Sequence, residues 1–131
     1  MTTSKAKTGQ IDQVELLASA LNEVNNKISA IEAEIEELEK SGISNASPWW
    51  KQGKYLYLVY KTDDDGNRQR QYIGSEPAAV EEALARIERF SKWIDLRTKL
   101  NEIRSRERSA RQSIDHALWN LNAIQRNFWG E

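Results

Sequence analysis

The chain contains no cysteine and a single histidine among its 131 residues. Without thiols there is no disulfide framework, no thiolate nucleophile and no Cys-based zinc site. One His excludes a His-rich metal site within one chain. Glycine and proline are sparse, with six glycines standing alone and two prolines, so no Gly-rich phosphate loop is present. A charge excess is missing as well: 19 Lys+Arg against 20 Asp+Glu give a net charge of −1. Bulk charge therefore draws neither nucleic acid nor a membrane, and any such site must be a local patch. The longest unbroken apolar run, residues 55–60, is far too short to span a bilayer. The opening residues Met-Thr-Thr-Ser-Lys lack an apolar stretch, so no secretory signal is expected and the expected address is the cytoplasm.

What is present is periodicity. Val14, Leu21, Ile28 and Ile35 recur every seven residues, and Leu17, Val24, Ile31 and Leu38 repeat the pattern offset by three. A 3.5-residue repeat keeps one stripe facing a partner, which predicts a coiled-coil helix over residues 11–41. Ser41-Gly42 supplies the stop. Residues 1–10 are polar and expected to be flexible. Residues 42–53, with Gly42, Pro48 and Gly53, read as a connector.

Residues 54–74 predict a two-stranded β-hairpin. The run Lys54-Tyr-Leu-Tyr-Leu-Val-Tyr-Lys61 is aromatic and β-branched, and Arg68-Gln-Arg-Gln-Tyr-Ile-Gly74 alternates. Asp65-Gly66 offers a turn. With a loop at residues 63–66, Leu56 would face Ile73, Tyr57 would face Tyr72 and Leu58 would face Gln71. One face would carry Leu56, Leu58, Tyr60 and Ile73. The other would carry Tyr55, Tyr57, Val59, Tyr72, Lys61, Arg68 and Arg70. Such a hairpin needs a lid, supplied by Trp49 and Trp50 or by a second copy.

Ser75 as N-cap, followed by Glu76 and Pro77, opens a long helix over residues 76–128. No Gly or Pro interrupts residues 78–127, but the apolar register shifts near residues 97–107, which predicts a bend or a change of partner there. Residues 11–40 hold eight acids and two lysines, whereas residues 86–111 hold nine basic residues and four acids. Opposite charge favours an antiparallel helical hairpin. Arg86, Arg89 and Lys92 are placed to offset the acids near the end of the first helix.

The fold expected is thus mainly α, an antiparallel helical coiled coil interrupted by one β-hairpin, forming a single domain over residues 11–131. The first helix is the shorter, so apolar residues late in the second stay uncovered. A homo-oligomer, most simply a dimer, is the expected remedy. Its interface would use Val14, Leu17, Leu21, Ile28 and Ile35 with Ile114, Leu118, Trp119, Leu121, Ile124 and Phe128.

Catalysis is not expected, and neither is a cofactor or a metal. Ser113, Asp115 and His116 have triad letters, but successive helical side chains point about 100° apart, so they form no relay. The Asp63-Asp64-Asp65-Gly66 run lacks the alternation of a calcium loop. The basic, aromatic face of the hairpin is different. Tyr57, Tyr72, Lys61, Arg68 and Arg70 are residue types that grip phosphates and stack on bases. Two functions follow as expectations: a non-enzymatic oligomeric scaffold or adaptor for a macromolecular, most simply protein, partner, or a DNA-binding accessory protein using that face.

The run Gly53-Lys54-Tyr55-Leu56-Tyr57-Leu58-Val59-Tyr60, with Arg70-Gln-Tyr72-Ile73-Gly74 and a following helix, resembles small uncharacterised prokaryotic and phage coiled-coil proteins. In these a Tyr-rich hairpin ending in Tyr-Ile/Leu-Gly sits between two helices. The resemblance covers about residues 50–95 and implies a DNA-associated, mobile-element setting.

Overall fold

The computed structural model describes residues 9–61 and 65–129. In chain order the elements are α1 (Gly9–Ser41), β1 (Ser47–Lys51), β2 (Tyr55–Val59), β3 (Arg70–Gly74) and α2 (Pro77–Trp129). The chain is mainly helical, as expected, but the hairpin is a three-stranded antiparallel sheet in the order β1-β2-β3. The added strand, β1, occupies the stretch read as connector. Pro48 suggests a break there, yet proline is tolerated in an edge strand, where the missing N–H breaks no ladder. Of the segment expected to be flexible, residues 1–8 lie outside the described residues, and Gly9 and Gln10 are already helical.

The described residues fall into two compact units, residues 32–98 and residues 9–31 with 99–129. In the first, β1 pairs with β2 from Ser47↔Val59 to Lys51↔Tyr55. Lys54 N–H donates to the Lys51 carbonyl at 3.1 Å across a tight turn in which Gln52 (φ 56°) and Gly53 (φ 67°) are both left-handed. Positive φ at both corners matches the twist of a hairpin. β2 pairs with β3 through Tyr57↔Tyr72 and Leu58↔Gln71, as expected. Leu56, however, lies opposite Gly74 rather than Ile73, because a bulge intervenes. Gly74 sits at φ 106° with the Tyr72 ring against it, a position that suits glycine.

Period-two alternation then sorts the side chains. Leu56 (0% exposed) and Leu58 are buried with Ala46 and Ala83, and Tyr60, Ile73, Val80 and Ile87 pack around them. Val80, Ala83 and Ile87 recur at helical spacing, so the first turns of α2 present one stripe to the sheet. α2 starts at Pro77, one residue later than expected. The Glu76 carbonyl takes the first helical bond from Val80 N–H at 3.0 Å, and proline at the first helical position loses no bond.

The end of α1 is held by α2. Gly42, at φ 99°, donates its N–H to the Leu38 and Glu39 carbonyls at 3.1 and 3.2 Å, a left-handed helix cap. Arg89 donates from Nε to the Gly42 carbonyl at 2.7 Å and from Nη2 to the Ser41 carbonyl at 3.1 Å. The same guanidinium pairs with Glu82 at 2.9 Å, and Arg86 joins at 3.0 Å. A cation thus meets the negative end of the α1 dipole, and of the three basic residues placed to offset the acids there, Arg89 is the one on the terminal carbonyls. Arg86 and then Arg89, through their hydrogen bonds, hold the Glu82 carboxyl below its ordinary value of 4.5. Ser44 N–H also reaches the Arg86 carbonyl at 3.1 Å. One turn on, the Trp93 indole donates to Glu39 at 2.9 Å.

In the second unit Ile31 and Leu100 are buried. Leu17, Ala20, Leu21 and Val24 line one apolar groove with Ile103, Arg106, Glu107 and Ala110. α2 is assigned as one helix through residues 97–107. Among the described residues no helix is long and apolar enough to cross a membrane.

Candidate functional site: the outer face of the sheet

One face of the sheet is buried against α2, and the other is open. Strand alternation puts Trp49, Tyr57 and Tyr72 in register across β1, β2 and β3 on the open face. Their rings form a continuous row. The Trp49 and Tyr57 centroids are 5.4 Å apart and those of Tyr57 and Tyr72 are 5.0 Å apart, each pair tilted by 55°. Tilted rings at this spacing attract one another edge to face. Trp49 is still 45% exposed and Tyr72 58% exposed. The row is therefore a surface rather than a core.

Cations surround the row. Arg70, opposite Val59, holds its guanidinium 5.7 Å from the Trp49 ring. Lys54 holds its ammonium 5.4 Å from the Tyr55 ring. Lys51 pairs with Tyr55 at the same end of β2. At the opposite end Lys61 and Arg68 line a groove with Trp49, Ser47, Pro48, Val59 and Tyr60. Each cation is exposed, so it keeps its charge available to a partner.

The five residues singled out from the sequence for nucleic-acid contact all belong to this region. Tyr57 and Tyr72 touch, Arg70 adjoins them, and Lys61 and Arg68 share one groove. Trp49 was missed as a member of the row because its strand was read as connector. The available signal was the β-prone Trp49-Trp50 pair, placed so that alternate residues match those of β2.

The residues expected at an oligomer interface divide. Leu21, Ile28, Ile35 and Ile114 are half-buried within the chain. Val14, Leu17, Leu118, Trp119 (60%), Leu121, Ile124 and Phe128 (74%) stay exposed. His116 stacks on Trp119 with centroids 6.4 Å apart. Among the described residues no group of His, Asp and Glu could hold a metal ion.

Compared with known proteins, the chain matches no family model, no curated protein and no solved structure.

Proposed function

We propose that this chain is a non-enzymatic, oligomeric coiled-coil scaffold that binds a macromolecular partner through the outer face of its sheet. One observation carries the reading, the exposed row of Trp49, Tyr57 and Tyr72. Large aromatic rings left in water cost solvation free energy, and aromatic rings with adjacent Arg are the residues that anchor interfaces. The seven-residue seam of α1 and the exposed apolar residues at 14, 17 and 118–128 support the coiled-coil assembly of two copies.

The test is capture from the host with the full chain and with a Trp49→Ser/Tyr72→Ser variant. The reading expects one macromolecular partner, retained by the parent and lost by the variant at equal folded yield. A partner held equally by both places recognition elsewhere and overturns the reading. A second reading, a DNA-binding accessory protein, draws on Arg70 beside Trp49 and on the groove lined by Lys61 and Arg68. Binding to duplex DNA that weakens steeply with salt and disappears in an Arg68→Ala/Arg70→Ala variant would favour it.

A further inference from the structure

The outer sheet face has a chemistry that narrows its partner. Its centre is not built from hydrogen-bond forks. Entering a duplex groove calls for Arg, Lys, Asn or Gln at the tip, because base edges are read by paired donors and acceptors. Here the central row is Trp49, Tyr57 and Tyr72, one ring from each strand. A ring offers a π-face, and a π-face is useful to bases only when they are unstacked from one another.

The charges are arranged around that row. Lys51 and Lys54 stand at the Tyr55 end of β2, Lys61 and Arg68 at the Val59 end, and Arg70 alongside. By sequence, segment 47–74 carries these five cations against the three consecutive aspartates 63–65, a net charge of +2 in a chain whose total is −1. A ring row bordered by cations at both ends complements a flexible polyanion that carries planar bases. A single strand brings phosphates and planar bases at every nucleotide, whereas a protein partner meets both features only where acidic and aromatic side chains are separately placed to match.

We infer that the outer sheet face is a platform for single-stranded nucleic acid. Bases stack on Trp49 and Tyr72, while the flanking Lys and Arg side chains neutralise the phosphates. This rests on the reading that the face is a docking surface, and it names the occupant. Recognition is tolerant of sequence, because every base has a π-face.

The experiment is fluorescence anisotropy with a labelled single strand of about 16 nucleotides, and with its duplex, added to the full-length protein. The single strand is expected to bind more tightly than the duplex. Tyr72→Leu should weaken it about tenfold or more, the usual effect of losing one stacking ring, and Tyr72→Phe should leave it within about twofold of the parent, because only the ring matters. Arg68→Ala/Arg70→Ala should reduce the slope of log affinity against log salt by about 1.4, at about 0.7 per phosphate contact. Tyr72 and both arginines are exposed, so these variants keep the fold, and circular dichroism verifies it. Preference for the duplex, equal binding by Tyr72→Leu, or no binding of either nucleic acid each overturns the inference. If oligonucleotides do not bind while the Trp49→Ser/Tyr72→Ser variant still loses its partner from the host, the docking face stands and its occupant is a protein. If the variant loses nothing, the docking reading falls too.

Discussion

Arg89 donates to two backbone carbonyls at the end of α1 and to the Glu82 carboxylate. Replacing it with Ala leaves those carbonyls without the cation and removes the charge that opposes the α1 dipole. A hydrogen bond from a charged group contributes about 1.5–3 kcal/mol; only the bond to Gly42 is partly shielded while the other two are exposed, so Arg89→Ala should lower stability by about that single amount in urea unfolding. Arg89→Lys should recover only part, because an ammonium cannot hold the fork of Nε and Nη2. Glu82 makes a pH statement. Its folded-state pKa lies below its ordinary value, so its contribution is present above the unfolded value and is lost as pH falls through the folded one. Urea midpoints measured down the acid limb should fall less steeply in Glu82→Gln than in the parent. Leu56, at 0% exposure, is the deepest side chain. Leu56→Ala should cost about 2–5 kcal/mol, the usual cost of a leucine-sized cavity.

At the scale of elements, β2 is the central strand and both of its neighbours depend on it. Val59→Pro removes a ladder donor from a strand paired on both sides and should abolish the sheet's amide protection in hydrogen exchange, while leaving that of α1 residues 13–31 in place. The sequence made much of this legible. The faces of β2 follow from the alternation of Leu56 and Leu58 with Tyr55, Tyr57 and Val59, and the Tyr57–Tyr72 and Leu58–Gln71 pairs follow from the loop position. Three things were hidden. Pro48 carries the local signature of a breaker, and only its place at a sheet edge makes it harmless. The bulge at Ile73 arises because Gly74 takes a left-handed conformation under the Tyr72 ring, which no alternation pattern reports. The ring row needed β1, so Trp49 was visible as a residue but not as a member of the site. The capping of α1 by Arg89 was legible from charge alone, because a helix end rich in Glu invites a cation from whatever lies beside it.

At the scale of the whole molecule, many of the large apolar residues left exposed outside the sheet lie on α1, at Val14, Leu16 and Leu17, and on α2, from Leu118 to Phe128. If a second copy covers them, light scattering should report a dimer whose weight falls on dilution, and Leu118→Glu/Leu121→Glu should yield a folded monomer. A monomer at all concentrations would remove the oligomer from the proposal without touching the sheet face. The sheet edges bear on the same question. Both outer strands, β1 and β3, have one unpaired side, which ordinarily invites other chains to add strands without limit. Pro48 cannot donate a main-chain proton, and Lys51 and Arg70 place like charges at the two borders. Concentrated stocks should therefore stay clear of thioflavin-positive fibres on storage, and a Pro48→Val exchange is the single change expected to bring them on.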